Sequence, residues 1–371
     1  MKKYVFFLLG GVLMSSCFSS AIVSQVPSKK PRNVILLIGD GMGITQITAG
    51  LIKNGRKLNL ERCTAVGLSK TFAYGKDLIT DSAAGATALA CGVKTFNGAC
   101  GVDHNSKPVP TLLEIAEKQG RQTGMVVTSS ITHATPASFV AHVPDRAKMK
   151  EIASYFVKSG IDCFIGGGKS HFESRPDKRN ITTELIAQGY KMYNHVENEL
   201  DKFIPNPEEQ WGFFTAESEP LPYSQGRDYL PNASALACKY LQERAKINNN
   251  SGFFLMIEGS QIDWGGHANQ SDYLVSEMVD FDNTIGKVFD FAREDGNTLV
   301  IITADHECGG YSVVKGTTDT EIVGKFATDY HTPDMVPVFA YGPGAELFSG
   351  IYENTSIFDK ILRMFTIHNP K

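Results

Sequence analysis

The stretch Asp81-Ser82-Ala83-Ala84-Gly85-Ala86-Thr87-Ala88 sets a hydroxyl beside a carboxylate at the start of a run of small residues. That composition favours a helix. Ser82 then falls at the helix N-terminus, where free N–H groups and the helix dipole favour an anion. A serine alkoxide and an arriving phosphate would both be stabilised there. The Ala/Gly run also lets the helix pack close to neighbouring backbone. Taken alone, an Asp-Ser pair before an Ala-rich helix equally suits a plain N-cap.

The number of metal-type donors elsewhere shifts that balance. Asp40 closes one apolar run, and Asp305 and His306 close another. Glu258, Asp263 and His267 crowd into Glu258-Gly259-Ser260-Gln261-Ile262-Asp263-Trp264-Gly265-Gly266-His267, while His133 sits in a polar loop after another strand. Asp and His suit zinc, whereas Asp, Glu and Thr oxygens suit magnesium. Asp263 and His267 stand one helical turn apart, so both can point at one ion. Carboxylates and imidazoles so crowded would repel or shift strongly in pKa without cations. Two zinc ions about 4 Å apart would clamp the attacking and leaving oxygens of an in-line displacement, an arrangement of which phosphatases are a standing example. Ser82 would supply the nucleophile and Arg146 a fork for the non-bridging oxygens.

Such residues can meet only if the fold gathers them. Residues 33–38 form an unbroken apolar run, the pattern of a strand covered on both faces, as in a parallel sheet. It ends in Gly39-Asp40-Gly41-Met42-Gly43, whose spacing is not that of a dinucleotide loop. The βα alternation continues with helices over 111–119 and 146–159 and strands over 123–128 and 161–165. A helix over 233–247, a strand over 253–257, a long amphipathic helix and a strand over 298–303 follow. A strand over 336–340 and a closing helix over 356–365 complete the pattern. Strand ends in a parallel sheet lie along one edge, so donors hundreds of positions apart can share a pocket. Residues 172–229, rich in polar residues and proline, read as an insertion capping one side of a single domain spanning 33–371.

The chain has 371 residues, 42% of them hydrophobic, enough for a sizeable core. A net charge of -4 and a pI near 6.2 offer no basic excess for nucleic-acid backbones. Lys2 and Lys3 precede an apolar run from Tyr4 to Met14 and then small residues, the layout of a secretory signal over residues 1–20. The run is too short to span a bilayer. Ser15-Ser16-Cys17 resembles a bacterial lipobox with Met14 in place of the usual Leu, which makes Cys17 a lipid-anchor candidate. Either ordinary cleavage or lipidation leads out of the cytoplasm, to the periplasm or an outer-membrane anchor. A polar linker follows over 21–32. The six other cysteines are scattered without metal-knuckle spacing and read as buried thiols, with Cys91 and Cys100 the nearest pair for a disulfide.

Together these residues resemble the alkaline phosphatase family, most closely its cold-adapted bacterial members, over nearly the whole chain from Asn33 to about Ile361. The motifs are IGDGMG around Asp40, TDSAAGATA around Ser82, HATPASFVAHVPDR from His133 to Arg146, EGSQIDWGGHAN around Asp263, TADHE around Asp305, and YHT followed by VPVFAYGPGA. The resemblance implies a three-layer α/β/α fold and hydrolysis of phosphate monoesters through a phosphoserine on Ser82, with Arg146 binding phosphate. It implies one zinc ion on Asp263, His267 and His331, and a second on Asp40, Asp305 and His306, faced by Ser82. It implies magnesium on Asp40, Thr135 and Glu258, with His133 beside that site where some members have Asp. Trp264 stands where some members have a Lys that reaches phosphate through water. The family is commonly homodimeric.

Three rival readings share parts of this pattern. A sulfatase requires C/S-x-P-x-R, whereas Ser82 is followed by Ala-Ala-Gly-Ala. Phosphodiesterases of the superfamily typically use Thr and lack the Glu258–Thr135 pair. An exported phosphate- or metal-binding lipoprotein would need Arg146 and the donors but no nucleophile.

Overall fold

The computed structural model describes Met1 and residues 30–365. Its centre is a ten-stranded sheet. The strands of the chain, in order, are β1 (Asn33–Gly39), β2 (Ala65–Lys70), β3 (Gln122–Ser130), β4 (Cys163–Gly167), β5 (Lys191–Asn194), β6 (Trp211–Phe214) and β7 (Phe253–Gly259). Then come β8 (Thr298–Thr303), β9 (Glu307–Cys308), β10 (Ser312–Val313), β11 (Gly324–Lys325), β12 (His331–Thr332), β13 (Val336–Tyr341) and β14 (Gly350–Glu353). The main sheet runs β14-β2-β13-β8-β1-β7-β3-β4-β6-β5, with β10–β11 and β12–β9 as separate short pairs. All its neighbours pair in parallel except β13, which is antiparallel to both β2 and β8.

The unbroken apolar runs are the buried strands expected of them. Along β1, Val34, Leu36 and Ile38 join the core on one face, and Ile35 and Leu37 join the core on the other. Helices Ser82–Cys91, Leu112–Lys118, Ala134–Val140, Met149–Ser159 and Thr355–Phe365 cover the first face. Helices Ile44–Lys53, Leu230–Ile247 and Ser271–Asp295 cover the second. The long helix buries Leu274, Met278, Phe281, Ile285 and Val288, the stripe its amphipathic pattern calls for. The result is three layers, α/β/α.

Two expectations are modified. The helix placed over 146–159 begins only at Met149, and Arg146 stands in the turn before it. The Arg146 backbone N–H donates to Gly98 O at 2.8 Å, and Asp145 Oδ1 accepts from Ala147 N at 2.9 Å. That tether frees the Arg146 side chain to turn inward. The 172–229 segment also does more than cover the sheet: β6 and β5 extend it by two parallel strands. Buried aromatics supply the driving force, with Phe214 against Phe164 and Phe172 at ring distances of 5.8 and 4.9 Å. The proline-rich composition concealed those short strands.

Cys63, Cys91, Cys100, Cys163, Cys238 and Cys308 are all free thiols, so Cys91 and Cys100 are unpaired with each other. The signal segment, Cys17 and residues 21–29 of the linker lie outside the described residues.

Candidate metal centre and active site

Three adjacent central strands deliver the donors. Register pairs Ile38 of β1 with Glu258 of β7 and with Thr303 of β8, so Asp40, Glu258 and Asp305 emerge side by side at the C-terminal sheet edge. β3 pairs Val127 with Glu258 on the other flank and leads into His133, which starts helix Ala134–Val140. Asp263 and His267 share helix Gln261–His267. His331 arrives in β12, directly opposite Cys308 of β9.

Helix Ser82–Cys91 points its N-terminus at this edge. Asp81 is the N-cap, its Oδ1 accepting from Ala84 N at 2.9 Å, and Ser82 is the first helical residue, so a capping carboxylate and a hydroxyl at the helix N-terminus coexist. Gly85 is what allows the approach, since a Cβ there would sit 3.0 Å from Asp305 O. Gly41, at φ +77°, plays the same part beneath Asp263, whose Cα would lie 2.7 Å from an added Cβ.

The expected Asp, Glu and His donors lie close together. Ser82 Oγ lies 3.3 Å from His306 Nε2, which is 3.4 Å from Asp40 Oδ1 and 3.3 Å from Asp305 Oδ2. His331 Nε2 is 3.3 Å from Asp263 Oδ1 and 3.1 Å from His267 Nε2, and His267 Nε2 is 3.4 Å from Asp263 Oδ2. The opposite ring nitrogens are fixed by backbone: His331 Nδ1 meets Thr80 O at 2.8 Å and His267 Nδ1 meets Asp329 O at 2.7 Å. Such contacts leave each Nε2 free as a ligand atom. Donor atoms fall into three groups, each within 4.8 Å: Asp263, His267, Cys308 and His331; Asp40, Asp305 and His306; Asp40, His133 and Glu258.

One member was not anticipated. The Cys308 Sγ joins the Asp263 group, although Cys308 carried no motif spacing to mark it. His133, expected beside the third group, contributes a donor atom to it.

The donor chemistry fits cations. Asp40 Oδ1 and Oδ2, Asp263 Oδ1, Asp305 Oδ2, Glu258 Oε1 and Thr135 Oγ1 are buried without a hydrogen-bond partner. Orphaned buried oxygens on this scale are costly unless something positive satisfies them. Burial, with the neighbouring charges of Asp305, Asp263 and Glu258, pushes the Asp40 carboxyl well above its ordinary range. Burial lifts Glu258 to about 7 against hydrogen bonds such as that from Ser260, and lifts Asp305 to about 6 with help from the Asp263 charge. Asp263 goes the other way. Burial opposes its charge, but the facing imidazoles of His331, His306 and His267 outweigh it and lower its pKa. Burial and the Arg146 charge push His133 down to about 3, so it is a neutral imidazole.

Arg146 completes the site. Its Nη1 pairs with Asp81 Oδ2 at 3.0 Å and its Nη2 lies 3.3 Å from His133 Nε2, with the side chain still 29% exposed. Asp81 Oδ2 also accepts from Gly98 N at 3.0 Å. Asp81 therefore caps the Ser82 helix with one oxygen and holds the guanidinium with the other. Sequence reasoning credited it only with the cap. Trp264 packs edge-on against His133, their rings 5.8 Å apart.

The Alkaline phosphatase family model matches residues 31–325. Alkaline phosphatase 3 of Bacillus subtilis is 33% identical, covering 98% of each chain, and the Escherichia coli enzyme is 30% identical, covering 92% of this chain and 87% of its own. The solved alkaline phosphatase of the Antarctic bacterium TAB5 is 43% identical, covers 92% of this chain and 99% of its own, and superposes with a TM-score of 0.85. A His-to-Asp variant of that enzyme was solved with Mg bound in its M3 site. With its motifs, fold and converged donors in agreement, the chain belongs to the alkaline phosphatase family and is a phosphomonoesterase.

Proposed function

We propose that hydrolysis proceeds through a phosphoserine on Ser82, at a site of two zinc ions and one magnesium ion. Asp263, His267 and His331 would hold one zinc ion; Asp40, Asp305 and His306, with Ser82, would hold the second. Asp40, Thr135 and Glu258 would hold magnesium, with His133 beside it. Zinc and magnesium supply Lewis acidity and neutralise the charge that develops on the attacking and leaving oxygens. The observation that carries this reading is Ser82 Oγ, 1% exposed as a residue and 3.3 Å from His306 Nε2, among buried carboxylate oxygens that lack partners.

The chain's own residues then have defined tasks. Ser82 Oγ attacks phosphorus in line; the Oγ–P bond forms as the bond to the ester oxygen breaks, and the alcohol departs with a proton. Water then cleaves Oγ–P, and Ser82 recovers its hydroxyl with release of inorganic phosphate. The N-terminus of helix Ser82–Cys91 favours the negative charge at Oγ. Arg146 holds two non-bridging oxygens in its fork. Since these contacts all go to phosphate, a broad range of monoesters fits. Hydrolysis of a chromogenic monoester against its diester, with bound metal per chain, tests the reading. Faster cleavage of the diester, or fewer than two zinc ions per active chain, would defeat it.

Asp81→Asn keeps a good cap but weakens the hold on Arg146. KM is expected to rise about three- to tenfold, in line with the loss of a charge-assisted hydrogen bond, with melting temperature little changed. An unaltered KM would show that Arg146 needs no such support. Trp264→Lys puts a cation near phosphate, and inhibition by inorganic phosphate should tighten several-fold in steady-state assays.

We further infer export, carried by the Lys2-Lys3 and apolar leader, with Cys17 as a lipid-anchor candidate, and a homodimeric state by likeness to the family. Intact mass of the membrane and soluble fractions, and sedimentation of the mature chain, test these.

A further inference from the structure

Glu307 belongs to the TADHE motif, yet the chemistry above gives it no task. Its carboxylate, only 3% exposed as a residue, accepts four hydrogen bonds. Oε1 takes Gln46 Nε2 at 2.5 Å and Tyr311 N at 3.1 Å; Oε2 takes Thr332 Oγ1 at 2.5 Å and Gly310 N at 3.1 Å. Neither Lys nor Arg forms an ion pair with it among the described residues. Dipolar donors alone hold this buried charge, so each donor is bound to it tightly.

Those donors come from the segments that carry metal ligands. Gln46 sits in helix Ile44–Lys53, just after Asp40; its Oε1 accepts from Gly43 N at 3.1 Å, and its Nε2 also donates to Cys308 O at 2.9 Å. Gly43 leaves no slack, since a Cβ there would lie 2.6 Å from Glu307 Cγ. Thr332 follows His331 and pairs with Glu307 across β12–β9. Glu307 itself follows His306. One carboxylate thus ties together the backbone beside Asp40, His306 and His331.

We propose that Glu307 is a positioning residue that sets the spacing between the Asp40–Asp305–His306 group and the Asp263–His267–His331 group. This rests on the two-zinc reading. The two arms of the hub differ in reach: Thr332 reaches His331 alone, whereas Gln46 reaches the Asp40 loop through Gly43 N and, through the Cys308 carbonyl, the edge of the Asp263 group. Removing the hub loosens both groups, whereas cutting one arm loosens chiefly one.

The test follows zinc loss from the loaded protein to a chromogenic chelator, for the wild type, Glu307→Gln, Thr332→Val and Gln46→Met. Absorption of the cobalt-substituted proteins reports ligand geometry independently. The wild type should release two zinc ions in resolvable steps; if it binds none, the two-zinc reading fails before Glu307 is at issue. Glu307→Gln should weaken both steps by about tenfold or more, the usual scale for loss of an outer partner of metal ligands, and alter the cobalt spectrum. Thr332→Val should weaken only the step belonging to His331, and Gln46→Met chiefly the other, since Gln46 touches the Asp263 group only through the Cys308 carbonyl. Should Glu307→Gln fail to fold, the two single-arm variants decide. Zinc affinities within twofold of the wild type in Glu307→Gln, or equal loosening of both sites by either single-arm variant, would overturn the proposal.

Discussion

Ser82→Ala is expected to lower kcat for monoester hydrolysis by on the order of 10³-fold or more, the scale seen when a covalent nucleophile is deleted. The argument starts from what the change leaves alone. Among the described residues Ser82 Oγ makes one hydrogen-bond contact, at 3.3 Å to His306 Nε2, and the helix cap is provided by Asp81. The cores on both sheet faces do not involve the hydroxyl, so fold and melting temperature should hold. The donors of all three groups also remain, and zinc content should stay near that of the wild type. Labelled phosphate trapped on the protein at mildly acidic pH should disappear in the variant. Retention of the label, or a kcat within tenfold of the wild type, would mean that another group attacks phosphorus.

Chelation should have an equally large effect, and one that depends on pH. Stripping the metal should abolish turnover and leave Asp40, Glu258 and Asp305 buried side by side. Glu258 rises from 4.5 to about 7, Asp305 from 3.8 to about 6, and Asp40 well above 3.8, chiefly through burial. For an acid whose folded pKa is raised, the folded state binds more protons than the unfolded one. Its contribution is therefore fully present below the unfolded pKa and lost as pH rises through the folded value.

Two imidazoles oppose this at the acid end. His306, pushed well below 6.5 by burial and the His331 charge, and His133, pushed to about 3, each favour the folded state more as pH rises towards 6.5. Above that pH their contribution is complete, and the site carboxylates set the slope together with His331, whose pKa Asp263 raises above 6.5 against burial and whose contribution is likewise lost as pH rises. The chelated protein should lose on the order of 5 °C in melting temperature between pH 6.5 and 8.5. The loaded protein should lose less over the same window, because bound cations offset the site carboxylates, while Glu117 and Glu277 outside the site titrate in both forms. Parallel curves for the two forms would argue that the carboxylates are satisfied without metal.

Much of this was legible in the residues themselves. Unbroken apolar runs require strands covered on both faces, because a half-wet strand would alternate; β1, β7 and β8 meet that requirement. Ligand type follows from side-chain chemistry, so Asp40, Asp263, Asp305 and His306 could be named as candidates without coordinates, whereas His331 came only through the family resemblance. Local sequence also fixed the cap and start of the Ser82 helix.

Other features depend on partners distant in sequence. Arg146 leaves the helix its pattern suggests because Gly98, 48 positions earlier, takes its N–H. Asp81 doubles as a guanidinium clamp, and Glu307 gathers Gln46 and Thr332, only because strand order brings those segments together. The polar, proline-rich stretch before the Leu230–Ile247 helix supplies two sheet strands because Phe164 and Phe172 offer an aromatic surface that Phe214 can bury against. Side-chain chemistry and apolar period are properties of a residue and its near neighbours, and the sequence determined them. Which hydrogen bond wins at Arg146, Asp81 or Glu307 is a competition among groups that meet only after the sheet has assembled, and the tertiary structure decided it.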